Sequence, residues 1–121
     1  MSKPIFGPAL GQINIVVRDM PASLAFYRLL GLVVVEPSLP EWAQHHAAAE
    51  TSNGVHVEFD SVAFAKQWNP LLDESRLGTT VLPFFHVRSR EEVDVVYARL
   101  TTAGHPSHHA PRMPFGVRAM R

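Results

Sequence analysis

Two segments of this chain follow one plan, and that plan limits the fold more than any single motif does. In Gln12-Ile13-Asn14-Ile15-Val16-Val17, the residues Ile13, Ile15 and Val17 share one side, while Gln12 and Asn14 occupy the other. A period of two with β-branched residues on one side predicts a strand with one buried and one partly polar face. Asp19-Met20-Pro21 then breaks the run, and Pro21 suits a first helical position because it has no N–H to leave unpaired. Leu24, Tyr27 and Leu30 follow at helical spacing, and Gly31 supplies the left-handed residue that commonly ends a helix. The order then recurs. Thr79 to Val87 is apolar and extended, and Ser89-Arg90-Glu91-Glu92 reads as a capping box. Val93, Val96, Tyr97 and Leu100 keep helical spacing, and Gly104 closes the helix before Pro106. Strand, cap, amphipathic helix and glycine occur twice, which is an internal repeat of architecture.

Between the repeats the chain reads as β-structure. Leu32 to Val35 is a short apolar strand stopped by Pro37 and Pro40. Asn53-Gly54 is a strong hairpin turn. The strand after it alternates without error, with Val55, Val57 and Phe59 on one face and His56, Glu58 and Asp60 on the other. Its hairpin partner is expected over Gln44 to Glu50, although Ala47-Ala48-Ala49 favours helix by propensity. Ser61 to Leu77 reads as a connector, helical around Ala63 to Trp68 and broken at Pro70. Beyond Gly104, a polar stretch leads to a last short strand at Phe115 to Met120.

Composition narrows the function classes. A chain of 121 residues is expected to form one domain with its own core. Lysine plus arginine and aspartate plus glutamate number 11 each, so no electrostatic footprint points to nucleic acid or an anionic membrane. With no cysteine, a thiol nucleophile and a disulfide framework are both excluded. No apolar run is long enough to span a bilayer, and the first residues lack a signal peptide's apolar core. A cytoplasmic protein without nucleic-acid or membrane partners is the expectation.

Ile15-Val16-Val17-Arg18-Asp19-Met20, Ala25-Phe26-Tyr27, Leu30-Gly31-Leu32 and Phe115-Gly116-Val117-Arg118 resemble the vicinal oxygen chelate superfamily, which includes glyoxalase I, bleomycin-resistance proteins and extradiol dioxygenases. The resemblance implies an α+β fold: two βαβββ modules whose strands form a concave mixed sheet with helices outside. It places a first module at 9–61, a connector at 62–78 and a second module at 79–121 that lacks its last strand. It also implies a cleft for a small molecule, in many members with a divalent metal held by one residue from each of four strands. Carried over by position, the metal ligands would be Gln12 and Glu58. The third position aligns with Leu82, which cannot ligate, and the fourth would lie past Arg121. A cleft without a complete metal site is therefore the expected form. The alternative is a metal-dependent lyase, isomerase or dioxygenase with the metal on Gln12 and Glu58.

The expected cleft is lined by Gln12, Asn14, His56, Glu58, Phe84, His86 and Arg118. Glu58 is the candidate catalytic group, as metal ligand or general base, and the competing reading pairs it with Arg118. Arg118 could instead clamp a carboxylate or phosphate on the ligand. Of the aromatic residues Trp42, Trp68, Phe84 and Phe85, one or two are expected in the cleft. His45-His46 and His108-His109 read as solvated loop or edge residues, since neighbours on a strand point to opposite faces and cannot chelate one ion well. Asp19, at a strand-to-helix turn, is expected to cap amides. A sheet lacking its last strand leaves backbone groups unpaired, so if 121 residues are the natural length a homodimer covering that edge is expected, whereas a chain cut short would carry further site residues beyond Arg121.

Overall fold

The structure, a computed structural model, describes residues 7–78, 83–107 and 110–111. Four strands form one mixed sheet: β1 (Gln12–Val17), β2 (Val33–Val35), β3 (His46–Glu50) and β4 (His56–Ser61), in the order β1-β4-β3-β2. β4 runs parallel to β1 and antiparallel to β3, and β2 is antiparallel to β3. The helices are α1 (Met20–Leu30), α2 (Pro40–Ala43), α3 (Val62–Trp68) and α4 (Arg90–Thr102), with a single 3₁₀ turn at Glu74–Arg76. The fold is α+β.

One face of the sheet packs against α1. Val17, Val34, Ala47, Ala49, Val57 and Phe59 meet Met20 and Leu24 in a buried cluster, flanked by Ile15, Tyr27 and Leu32. Phe59 and Leu24 are among the largest fully buried side chains, and each burial stabilises the fold by about 1.5–3 kcal/mol. Tyr27 closes the cluster, its ring 4.9 Å from that of Phe59. Burial of the Tyr27 hydroxyl raises its pKa above the ordinary phenol value.

The two helices of the repeat end alike. After α1, Gly31 has a φ of 116°; its N–H donates to Arg28 O, and that of Leu32 donates to Tyr27 O. After α4, Gly104 has a φ of 93°; its N–H donates to Thr101 O, and that of His105 donates to Leu100 O. These paired bonds close a Schellman turn, and the left-handed φ favours glycine in both. At the other ends, Asp19 accepts from Ala22 N and Ser89 Oγ accepts from Glu92 N, so Asp19 is a cap as expected. The capping box is displaced by one residue: Glu92 accepts from the N–H of Arg88 rather than from that of Ser89. α4 packs against α1, with the Phe26 and His105 rings 5.0 Å apart.

Four expectations need correction. Pro21 takes the second helical position, because Asp19 is the cap and Met20 the first residue. The hairpin partner begins at His46 rather than Gln44, because α2 ends on Gln44 in a helical conformation. α2 itself was not anticipated. Pro83 to Val87, expected to complete a strand, belong to no strand; Pro83 has no N–H to give a ladder. Thr79 to Leu82 and the expected strand from Phe115 to Met120 lie outside the described residues. Among the described residues, no helix is long and apolar enough to cross a membrane.

Candidate functional site

The face of the sheet turned away from α1 carries the polar residues. On β4, His56, Glu58 and Asp60 alternate with the buried Val57 and Phe59. The parallel register places Gln12 beside His56 and Asn14 beside Glu58. On the other side of β4, His46 stands opposite Asp60 and Ala48 opposite Glu58. Three adjacent strands thus bring Gln12, Asn14, His46, Glu58 and Asp60 onto one surface.

These side chains form one connected chain of hydrogen bonds. Gln12 Nε2 donates to Asn14 Oδ1 at 2.6 Å, and Asn14 Nδ2 donates to Asp60 Oδ2 at 2.8 Å. The second oxygen of Asp60 lies 2.9 Å from His46 Nδ1, and His46 Nε2 lies 3.3 Å from Glu58 Oε1. Asp60 is the one buried charged residue among the described residues, with no exposed surface, and both of its oxygens have partners. Burying a carboxylate without such partners is costly, so the pattern explains how it is tolerated. His46 faces a carboxylate oxygen with each ring nitrogen, and only the doubly protonated ring can donate to both. Phe64 of α3 walls this end of the surface, its ring 5.8 Å from that of His46.

The expected site residues therefore divide. Gln12, Asn14 and Glu58 share the surface and its network. His56 shares the face but turns to Glu50, 3.5 Å away. Phe84 is 80% exposed and His86 is exposed, and no hydrogen bond, ion pair or ring contact joins either to the network. It is Phe85 that turns inward, its ring 6.2 Å from Tyr27. Arg118, the expected partner of Glu58, lies outside the described residues, as do Leu82, His108 and His109. His46 was missed. Read as a solvated edge residue, it is half-buried between two carboxylates. A two-residue Asn53-Gly54 turn would have set it opposite Ser61; the loop is one residue longer, with Thr51 N–H donating to Val55 O, and that shift brings His46 opposite Asp60.

The same fold occurs in known proteins. Residues 9–121 match the family model of the Glyoxalase/Bleomycin resistance protein/Dioxygenase superfamily. The chain belongs to this superfamily. Solved structures agree in fold. A hypothetical protein of S. aureus, SA1046, superposes with a TM-score of 0.68 at 19% identity, over 92% of this chain and 81% of that one. A glyoxalase/bleomycin resistance protein/dioxygenase from Nocardioides gives 0.64 at 25% identity, over 90% and 70%. A family enzyme from Burkholderia phytofirmans PsJN gives 0.56 at 24% identity, over 80% and 74%. No protein of curated function matches the sequence.

Glyoxalase-superfamily membership raises the question of a metal, and the described donors do not fit one. Asp60 has both oxygens engaged and His46 stands between Asp60 and Glu58, which leaves Gln12 Oε1 and Glu58 as the remaining donors. Among the described residues, no group of three or more histidine, aspartate or glutamate side chains is placed to hold a metal ion. Gln12 and Glu58 alone fall short of the three protein ligands that a catalytic site ordinarily supplies.

Proposed function

We propose that this glyoxalase-superfamily protein binds a small organic molecule over the polar face of its sheet, without a metal. The observation that supports this is the hydrogen-bonded chain from Gln12 to Glu58. It fixes polar side chains in place before a ligand arrives, and such preorganisation lowers the cost of binding. Glu58 sits at the end of the chain and keeps part of its side chain accessible, as does His46. These two would meet the ligand, while Asp60 and Asn14 hold His46 from behind. His56 and Gln12 extend the surface toward the other end of β4. In this reading the protein acts as a homodimer, a view supported by Val33 and Val35, which are 77% and 64% exposed on β2.

A thermal-shift screen with small carbonyl, phenolic and carboxylate compounds tests the reading, followed by titration of any hit against Glu58→Gln and Gln12→Leu. Both variants are expected to weaken a hit by tenfold or more without lowering the melting temperature much. Hits that bind both variants as well as the wild type would end the proposal. Metal content of the purified protein is the second readout. A stoichiometric divalent metal that disappears in Glu58→Gln would instead favour a metal-dependent lyase, isomerase or dioxygenase.

A further inference from the structure

A second cleft lies between α2 and α3, on the far side of Phe64 from the polar face. A cleft of about 240 Å³ is lined by Glu41, Trp42, His45, Ala63, Phe64 and Gln67. The Trp42 and Phe64 rings stand 6.0 Å apart at 84°, so they form two nearly perpendicular aromatic walls. His45 is held in place, its Nδ1 2.8 Å from Ser61 Oγ. Ser61 Oγ also accepts from Phe64 N, so one hydroxyl ties His45 to the start of α3. Three other polar groups of the lining have no partner among the described residues: the Glu41 carboxylate, the Gln67 amide and the Trp42 indole N–H. Trp42 is 45% exposed, so its ring remains open to a visitor.

We infer that this cleft binds a small quaternary ammonium group. A cation lying over an aromatic face is attracted by the ring's quadrupole, most strongly on tryptophan. Glu41, at the rim of the same cleft, brings a negative charge to its mouth, and neither Lys66 nor Arg28 neutralises it, since they pair with Glu74 and Glu36. A metal ion would fit poorly, because one carboxylate and one amide cannot replace its water shell. A methylated ammonium spreads its charge over carbon and sheds water readily, so apolar walls suit it. The volume matches a head group rather than a drug-sized molecule, for which pockets run from about 300 to 1,000 Å³. The site is independent of the ligand proposed for the polar face, although Phe64 borders both.

Choline and its uncharged carbon analogue 3,3-dimethylbutan-1-ol are the probes, and Trp42 fluorescence in a Trp68→Phe background is the readout. Choline is expected to change the emission saturably, with a midpoint about tenfold below that of the alcohol. Glu41→Gln should weaken choline about threefold or more and leave the alcohol unchanged, while Glu58→Gln should leave choline unchanged. Equal midpoints for the two probes would overturn the inference, since the cleft would then be merely apolar. Absence of saturable change with choline, or indifference to Glu41→Gln in a protein with wild-type circular dichroism, would overturn it as well.

Discussion

The two faces of this sheet are made by the same strands and obey opposite rules. On β4, Val57 and Phe59 pack against α1, while Glu58 and Asp60, one residue along, join a polar chain reaching from Gln12 to His46. The α1 side gains its energy from apolar area, which is non-directional and tolerant of small shifts. On the other side the geometry itself is at stake, because each group is satisfied by one neighbour and loses its partner if that neighbour moves. A strand can therefore keep its fold with one set of residues and hold chemistry with the alternate set.

This contrast can be broken by experiment, and the largest effect should come from the apolar side. Phe59→Ala removes a fully buried ring and is expected to cost about 3–5 kcal/mol in urea unfolding. A loss below about 1 kcal/mol would mean that the α1 face is not the core. Asp60→Leu comes next. It keeps the number and branching of side-chain heavy atoms but strands Asn14 Nδ2 and His46 Nδ1, and about 1–3 kcal/mol should be lost. If Asp60→Leu proved neutral, the polar chain would not be a unit, and His46→Leu combined with it should then show no coupling. Glu58→Gln should change stability by less than about 1 kcal/mol, because its contact with His46 is partly solvated. Its effect belongs in ligand binding.

The smallest effect lies on neither face and gives the baseline. Hydrogen bonds from the Arg88 side chain and N–H hold the Glu92 carboxyl below its ordinary pKa of 4.5. A depressed carboxylate contributes stability above its unfolded pKa and loses it as pH falls through the folded value. Protection factors of the amides at the start of α4, which are exchange rates corrected for their intrinsic pH dependence, should therefore fall in acid below about pH 4.5, and Glu92→Gln should remove that fall. Protection factors that stay flat with pH in the wild type would show that this cap contributes nothing in solution. Both groups are solvent-exposed, so the change should be confined to the first turn.

Much of the contrast could be read from residues alone, where a local rule decided the matter. Alternation assigned Ile13, Ile15, Val17, Val57 and Phe59 to one side and Gln12, Asn14, Glu58 and Asp60 to the other. Caps and glycines marked both helix ends, since Asp19, Gly31, Ser89 and Gly104 act through their nearest neighbours. What escaped needed information from elsewhere in the chain. His46 looked like an edge residue because its worth depends on Asp60 and Glu58, one strand away, and on Phe64 in a helix that follows. Phe84 and His86 were placed in the cleft by assuming a strand through Pro83, where the backbone lacks a donor. Trp42 was weighed as a possible stacking residue, but α2, which presents it, is a four-residue helix too short to leave a periodic signal.

The strand order has a consequence for how the molecule comes together in time. β3 and β4 are joined by a tight turn, so His46, Glu58 and Asp60 can meet early, whereas Asn14 must find Asp60 across a sequence separation of 46. Closing so long a loop is slow, and β1 should dock after the hairpin has formed. Shortening Asn14 to alanine is then expected to accelerate unfolding and leave the refolding rate nearly untouched, while the same change at Val57 should slow refolding.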